Sequence, residues 1–210
     1  MGELLSNNEA SVIGKVCQLP YLSHTHFEEE FYILSLEVPR LSDNSDEINI
    51  MISEKLYDIE DIEIGDVFKV SGQFRSYNNY SGIGNRLMLV LFAKEIEAVA
   101  ASTLLDDSKP NSIHIKGYIC KEPIYRTTPF GREITDLLVA VNRAYGKSDY
   151  LPCIAWGRNA KYSSKLSVGD MVEIWGRMQS REYQKRLEND EVITKKAFEI
   201  SISRIDNIEE

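Results

Sequence analysis

The sequence predicts an all-β chain with short helices, built as two tandem barrels of five strands each. The main observation is an internal repeat: V-I-G-K-V-C-Q-L-P (Val12 to Pro20) returns as I-K-G-Y-I-C-K-E-P (Ile115 to Pro123), 103 residues later. Further on, I-G-D-V-F-K-V-S-G-Q-F-R-S (Ile64 to Ser76) returns as V-G-D-M-V-E-I-W-G-R-M-Q-S (Val168 to Ser180), 104 residues later. Because order and spacing are kept, the repeat indicates a duplicated small domain, and it is too long for a solenoid unit.

The strands follow from apolar residues that alternate with a period of two. In the first copy this pattern predicts strands at Ser11–Leu19, Glu30–Val38, Glu47–Ser53, Asp66–Arg75 and Leu87–Glu97. In the second copy it predicts strands at Ser112–Cys120, Thr135–Arg143, Tyr150–Trp156, Asp170–Tyr183 and Lys196–Ile205. A helix is expected at Arg158–Leu166, ended by Val168-Gly169-Asp170. Five strands with one helix after the third is the order of an OB-fold barrel.

The two copies are separated by a polar stretch, A-A-S-T-L-L-D-D-S-K-P-N-S (residues 100–112), which contains Pro110. We therefore predict an acidic first OB-fold domain at residues 1–103, serving assembly or scaffolding. A linker is expected at 104–111 and the second OB-fold domain at 112–210. A linker this short predicts that the two barrels lie next to each other.

The composition is that of a globular protein, with 43% hydrophobic and 27% charged residues. No apolar run approaches the roughly 18 residues that a membrane span needs. The start of the chain lacks the features of a signal peptide, so a cytoplasmic protein without a membrane partner is expected. The three cysteines (Cys17, Cys120 and Cys153) form no C-x-x-C pair and are interpreted as reduced, buried thiols.

The charge is distributed unequally between the copies. Residues 1–110 hold 8 Lys+Arg and 19 Asp+Glu (8 − 19 = −11), whereas residues 111–210 hold 16 and 14 (16 − 14 = +2). Binding to a nucleic-acid backbone requires Lys and Arg to replace phosphate counterions. Only the second copy has a useful supply of them. The other interpretation is that the acidity of the first copy merely aids solubility.

Both tryptophans are predicted to point away from the core of their own barrel. In Cys153-Ile154-Ala155-Trp156, the small Cys153 and Ala155 share the core face, so Trp156 points outward with Ile154. In the later strand Trp175 shares the outward face with Glu173 and Arg177. Single-stranded nucleic acids are bound by aromatic rings that stack on bases. An interface between barrels or subunits is the alternative explanation for both rings.

Two loops of the second copy supply further candidates, at the places where OB-folds bind oligonucleotides. R-E-Y-Q-K-R (Arg181 to Arg186) lies in the hairpin of the last two strands, and Gly131 marks the turn before the second strand. The matching hairpin of the first copy, Tyr77 to Arg86, has fewer cations, so weak binding and scaffolding both stay open. The candidate DNA-binding residues are Arg126, Phe130, Arg132, Trp156, Arg158, Trp175, Arg177, Arg181, Tyr183, Lys185 and Arg186.

The second copy resembles the bacterial single-stranded-DNA-binding protein family. The resemblance lies in D-L-L-V-A-V-N-R (Asp136 to Arg143), P-C-I-A-W-G-R-N-A-K-Y (Pro152 to Tyr162), and L-S-V-G-D-M-V-E-I-W-G-R-M-Q-S-R-E-Y (Leu166 to Tyr183). E-P-I-Y-R-T-T-P-F-G-R-E (Glu122 to Glu133) is similar to the family's segment between its first two strands. The resemblance implies sequence-tolerant binding of single-stranded DNA in replication, recombination or repair, with Trp156 and Tyr183 at positions of stacking aromatics. Most family members carry one barrel and form tetramers, so a homodimer with four barrels is expected here.

The first hypothesis is therefore a non-enzymatic single-stranded-DNA-binding protein, with replication or repair proteins as further partners. The second is an adaptor whose barrels bind a replication or mobile-element protein, and RNA binding is a third. Neither a metal nor another cofactor is expected. His24-x-His26 with Glu28 to Glu30 is interpreted as a solvated loop, and no nucleophile or phosphate loop accompanies the acidic run from Asp58 to Glu63.

Overall fold

The strands close into two barrels in the computed structural model of the chain, which describes residues 6–40, 42, 44–78, 87–106, 109–186 and 192–208. The strands are β1 (Asn8–His26), β2 (Glu29–Pro39), β3 (Ser45–Ser53), β4 (Val67–Asn78), β5 (Leu87–Ala98), β6 (Asn111–Ile119), β7 (Ile124–Thr127), β8 (Glu133–Asn142), β9 (Ser148–Trp156), β10 (Met171–Arg186) and β11 (Val192–Asn207). The helices are α1 (Thr103–Asp106) and α2 (Arg158–Ser163). No helix among the described residues has the length and apolar character needed to cross a membrane.

Each barrel closes by the same sequence of strand pairs. The first closes as β1–β2–β3–β5–β4–β1, and the second as β6–β8–β9–β11–β10–β6. Only the β3–β5 and β9–β11 pairs are parallel among these. The predicted fold class, two tandem OB-fold barrels with few helices, is confirmed.

The first strand is longer than the sequence predicted. β1 runs to His26 instead of ending at Leu19, and it forms a hairpin with β2 in which His26 pairs with Glu29. The turn residues Phe27 and Glu28 both have positive φ, 48° and 59°. Two such residues are what a type I′ hairpin turn requires, usually supplied by Asn or Gly. Neither residue type stands here, so this turn has no recognisable signal in the sequence.

Three further elements differ from the prediction. β7 (Ile124–Thr127) is a separate strand after Pro123, whereas β1 of the first barrel continues through the equivalent Pro20. The predicted helix in the second copy stops at Ser163, and the corresponding segment of the first copy forms only a 3₁₀ turn at Ile59–Asp61. The short helix α1 occupies part of the predicted linker.

The cysteines only partly match the interpretation of buried thiols. Cys153 lies in the core, and burial raises the pKa of its thiol. Cys17, by contrast, is exposed, and Cys120 is half-buried. Because Val16 occupies the core face of β1, Cys17 one residue later points outward. Its Sγ donates to the backbone carbonyl of Ser35 at 3.3 Å.

The two barrels form one continuous sheet. β1 pairs antiparallel with β6, and Ala10 lies opposite Ile113. Matching glycines, Gly72 and Gly176, stand at a bulge in each barrel. A Cβ at these positions would lie 2.0 Å and 2.3 Å from a backbone oxygen of the adjacent strand, so only glycine fits both bulges.

Two buried carboxylates, Asp46 and Asp149, hold the barrels together. We call them the junction carboxylates. Each is 1% exposed and accepts two hydrogen bonds from an arginine of its own barrel, Arg40 or Arg143. Each also accepts the backbone N–H of a serine in the other barrel, from Ser180 at 2.9 Å for Asp46 and from Ser76 at 2.6 Å for Asp149. The same contact is thus used twice across the junction, which satisfies carboxylates that would otherwise be costly to bury.

Candidate nucleic-acid interface

The face of β9 opposite the core carries apolar and aromatic residues. Leu151, Cys153 and Ala155 point into the core, as the alternation predicted. On the other face Tyr150 and Trp156 are 50% and 36% exposed, Pro152 is half-buried, and Ile154 is covered and only 3% exposed. We call the outward set, Tyr150, Pro152, Ile154 and Trp156, the β9 stripe.

The β9 stripe lies on the part of an OB-fold that binds oligonucleotides, namely its second and third strands and the two adjoining hairpins. In the second barrel these strands are β8 and β9. The adjoining hairpins are β7–β8 and β10–β11. The aromatic rings therefore stand on the face where a bound strand is expected.

A partly exposed ion pair borders the middle of the stripe. Arg126 on β7 donates to Asp136 on β8 at 2.7 and 3.2 Å, and Asp136 pairs in register with Ile154. The hydrogen bonds that Arg126 donates to Asp136 raise the pKa of Arg126, which stays a cation. Exposed pairs of this kind contribute little free energy. An anion that binds at this face can therefore replace Asp136 as the partner of Arg126 at a small cost in free energy.

The turn between β7 and β8 displays an aromatic ring at one end of the face. Gly131 has a φ of +76°, and its N–H donates to the carbonyl of Thr128 at 2.9 Å. This tight turn leaves Phe130 92% exposed, with the exposed Arg132 beside it. The backbone N–H of Gly157 donates to the carbonyl of Glu133 at 3.0 Å, so the turn approaches the end of β9.

Helix α2 begins directly after the stripe and adds positive charge. Arg158 is its first residue and is exposed. Lys161, on the next part of the helix, forms a 3.0 Å ion pair with Glu133. Hydrogen bonds from Tyr125 and Lys161 lower the pKa of Glu133. The end of the stripe at Trp156 is thus bordered by cations.

The β10–β11 hairpin is the other adjoining element. Arg181 forms a 3.3 Å ion pair with the nearly buried Glu199 and keeps half of its side chain exposed. Tyr183, Lys185 and Arg186 follow on β10, but their side chains lie outside the described part of the structure.

Two predicted site residues lie elsewhere. Trp175 stacks on His114, with ring centroids 4.9 Å apart and planes at 13°, and the guanidinium of Arg204 lies 4.5 Å from its ring. The ring lines a groove of about 550 Å³ that also includes Ser71 of the first barrel. Arg177 points to the junction, 3.3 Å from Asp46. Neither side chain joins the β9 stripe, because both belong to β10 where it approaches the first barrel.

Tyr150 is a candidate that the sequence reasoning missed. It stands at the other end of the β9 stripe from Trp156, next to Asp149 and the junction. Its backbone N–H donates to the Oγ of Ser76 in the first barrel at 2.8 Å. The signal was available, since Tyr150 and Trp156 are separated by six residues in one strand and so share a face.

The first barrel carries different residues at the corresponding positions. Subtracting the repeat offset of 103 from the members of the β9 stripe gives Glu47, Asn49, Met51 and Ser53 on β3. Glu47 forms an ion pair with Lys196 of the second barrel, and Asn49 bonds to Ser35 at 3.1 Å. No aromatic residue stands on this stripe of β3.

Comparisons with known proteins agree with this difference between the barrels. The sequence model of the single-strand binding protein family matches residues 110–206, which form the second barrel. The match covers less than half of the chain, so the similarity to this family concerns the second barrel.

The relatives are bacterial. Single-stranded DNA-binding protein 1 of Staphylococcus aureus (strain COL) is 32% identical over 83 residues, which are 36% of this chain and 50% of that protein. Single-stranded DNA-binding protein A of Bacillus subtilis (strain 168) is 29% identical over 83 residues, 36% of this chain and 48% of that protein. The chain thus spans about half the length of the curated relatives it matches.

A solved structure matches nearly the whole chain. The wild-type single-stranded DNA binding protein from Thermus aquaticus superposes with a TM-score of 0.67, covering 97% of this chain and 93% of that one. The sequence identity is 17%, so this similarity concerns the fold. It covers both barrels and supports the double OB-fold architecture.

Proposed function

We propose that the chain binds single-stranded DNA without sequence preference, through the second barrel. The observation that carries the proposal is the β9 stripe, with two exposed aromatic rings on the ligand face of a barrel that matches the sequence model of the single-strand binding protein family. Bases stack on Tyr150 and Trp156, and phosphates bind to Arg126, Arg158 and Arg181. The names of the relatives, single-stranded DNA-binding proteins, agree with this substrate.

The spacing of the rings suits a sequence-tolerant site. Tyr150 and Trp156 are six residues apart, a distance of about 20 Å along a strand. Pro152 between them is half-buried and offers a further apolar contact, whereas Ile154 is only 3% exposed. Stacking accepts every base because every base has a flat face, and the cations contact only the backbone.

The proposed role is a non-enzymatic one in replication, recombination or repair, in the cytoplasm, together with replication or repair proteins. OB-folds bind both DNA and RNA. A competition experiment between oligo-dT and oligo-U of equal length separates the two polymers. Preferential displacement of labelled oligo-dT by oligo-U would contradict DNA as the substrate.

We propose further that the chain acts as a homodimer that presents four barrels. This proposal is supported by the outward face of the sheet around Trp175, His114 and Arg204, which is set apart from the β9 stripe. Sedimentation equilibrium is expected to give twice the chain mass of 24.0 kDa. A single chain mass at micromolar concentration would contradict the dimer.

The binding site is tested by separating the signals of the two tryptophans. In a Trp175→Phe variant the remaining emission comes from Trp156, and oligo-dT at low salt is expected to quench it. In the matched Trp156→Phe variant, Trp175 reports on the other face and is expected to respond weakly. An unquenched Trp156 at saturating oligo-dT would contradict the proposal.

A further inference from the structure

The first barrel has a second apolar cluster, on the outside of its wall. Ile33, Met51 and Val90 are only 3%, 5% and 1% exposed. Their strand neighbours Leu34 and Ile50 belong to the main core, so alternation places the cluster on the opposite face of the strands. Something other than the barrel interior therefore buries these three residues.

Aromatic side chains cover this cluster and continue to the surface. Phe31, Tyr77 and Phe92 pack on it and are only half-buried. The ring of His24 stacks on Phe31 at 5.0 Å, and the centroids of Phe31 and Phe92 are 5.9 Å apart. Tyr21, 45% exposed, borders Tyr77. We call this set, Tyr21, His24, Phe31, Tyr77 and Phe92, the aromatic face.

The aromatic face is not a requirement of the fold. The repeat aligns β2, β3 and β4 with offsets of 103, 103 and 104, and the parallel pairs Ile50–Leu91 and Cys153–Ile200 align β5 with β11 by an offset of 109. Ile33 then corresponds to Asp136 and Val90 to Glu199. The remaining correspondences, Phe31 to Ile134, Met51 to Ile154, Tyr77 to Arg181 and Phe92 to Ser201, complete the comparison. Four of these six positions in the second barrel are thus charged or polar, namely Asp136, Arg181, Glu199 and Ser201.

The apolar surface extends along the β1–β2 hairpin. Leu19 and Leu22 are 51% and 52% exposed, and Phe27 at the turn is 90% exposed. From Leu19 to His26, β1 pairs only with β2 among the described strands, which leaves its other edge open. An open edge with exposed large side chains is a site where an extended peptide adds as a further strand.

The carboxylates at the turn favour a cationic partner. Glu28 and Glu30 lie there beside Phe27, and Glu29 is paired with Lys55. Residues 1–110 together carry 8 − 19 = −11. The guanidinium of Arg75 lies 4.0 Å from the ring centroid of Phe92, so the attraction for lysine or arginine side chains is confined to the turn end of the surface.

We propose that the aromatic face and the adjoining edge of β1 dock an extended segment of a partner protein that alternates basic and large apolar residues. The apolar side chains of the segment contact Tyr21 and Phe27, and its cations contact Glu28 and Glu30. This surface is independent of the β9 stripe, so the two sites are occupied separately.

The test uses a short fluorescein-labelled peptide of alternating Lys and Leu, whose binding to the full chain is followed by anisotropy. The Tyr21→Ser and Phe27→Ser variants are each expected to weaken binding by at least about fivefold, the loss of roughly 1 kcal/mol that marks an interface contact. Phe130→Ser, at the equivalent turn of the second barrel, is the matched control and is expected to bind normally. Unchanged thermal unfolding of the variants shows that their folding is intact.

Three results would overturn the proposal. One is equal binding of a Glu/Leu peptide, and another is a Lys/Leu affinity that Tyr21→Ser and Phe27→Ser leave unchanged. The third is a loss of labelled oligo-dT binding in those variants as large as in Phe130→Ser, which would make the face a nucleic-acid surface. If Tyr21→Ser lowers the solution mass instead, the occupant is a second copy of the chain and the proposal is again wrong.

Discussion

The two barrels share a frame and differ on the face where an OB-fold binds its ligand. On β9 this face presents Tyr150 and Trp156, whereas the same positions on β3 are Glu47 and Ser53. The cores of both barrels are filled by alternating aliphatic residues, and the strand pairing is the same. After duplication, the residues that hold the frame were kept and the outward residues diverged. The two barrels therefore differ in the residues on their outward faces and not in their fold.

The charges that border the faces differ as well. By strand pairing, Arg126 and Arg181 of the second barrel correspond to His24 and Tyr77 of the first. Arg158 corresponds to Lys55, but Lys55 is held by Glu29 at 3.0 Å. The ligand face of the second barrel thus carries two arginines that the ligand face of the first barrel lacks.

The largest expected effect is on the free energy of unfolding, at the junction carboxylates. Because each barrel contributes one of them in the same arrangement, the two substitutions are expected to have equal effects. Asp46→Ala and Asp149→Ala each leave a half-buried arginine and a serine N–H without their acceptor. Breaking a buried pair in this way is expected to lower the free energy of unfolding by about 3–5 kcal/mol. Urea unfolding measures the loss. Asp136→Ala, which removes an exposed pair, is the control and is expected to cost less than about 1 kcal/mol.

The β9 stripe is where the copies are expected to differ most in binding. Tyr150→Ala and Trp156→Ala each remove a stacking surface worth about 1–3 kcal/mol. The dissociation constant for labelled oligo-dT should therefore rise about 5- to 150-fold in each variant. Ser53→Ala, at the position that matches Trp156, and Asn49→Ala, at the position that matches Pro152, should leave it unchanged. An equal effect in both barrels would show that the faces do not differ in function.

Salt dependence sharpens the comparison of charges. Arg158→Gln is expected to reduce the slope of log K against log salt by about 0.7, the value for one phosphate contact on a single strand. Lys55→Gln, at the equivalent position of the first barrel, should leave the slope as it is. A change of slope in Lys55→Gln would place DNA on the first barrel.

The smallest expected effect comes from Glu47, which holds Lys196 of the second barrel. Glu47→Gln removes a carboxylate beside the β10–β11 hairpin. Partly exposed pairs of this kind contribute about 0.2–1 kcal/mol, so the affinity for oligo-dT should rise by no more than about fivefold. Glu63→Gln, an exposed change of equal charge, controls for net charge. Equal gains in both variants would assign the effect to net charge alone.

The sequence predicted those features that depend on residues close together in the chain. The repeat and the period-two alternation were sufficient for the two barrels and for the outward position of Trp156. The same alternation also places Tyr150 on the outward face of its strand, although Tyr150 lies outside the stretches that resemble the family. Cys17 was assigned to the core although Val16 beside it already occupied the core face.

The remaining features depend on tertiary contacts. Asp46 bonds to Ser180, which is 134 residues away in the chain, and Asp149 bonds to Ser76, which is 73 residues away. Nothing local in the sequence pairs these residues. Trp175 was grouped with the DNA-binding residues because it is aromatic and points outward. Its position facing the first barrel depends on how β6 pairs with β1.

The central claim, that DNA lies on the second barrel and not on the first, is tested most directly by photo-cross-linking. Oligo-dT substituted with iododeoxyuridine is irradiated with the full chain, and the cross-linked peptides are identified by mass spectrometry. The cross-links are expected at Tyr150, at Trp156 and in the β7–β8 hairpin. Cross-links of equal yield at Tyr21, Phe31 or Phe92 of the first barrel would contradict the claim.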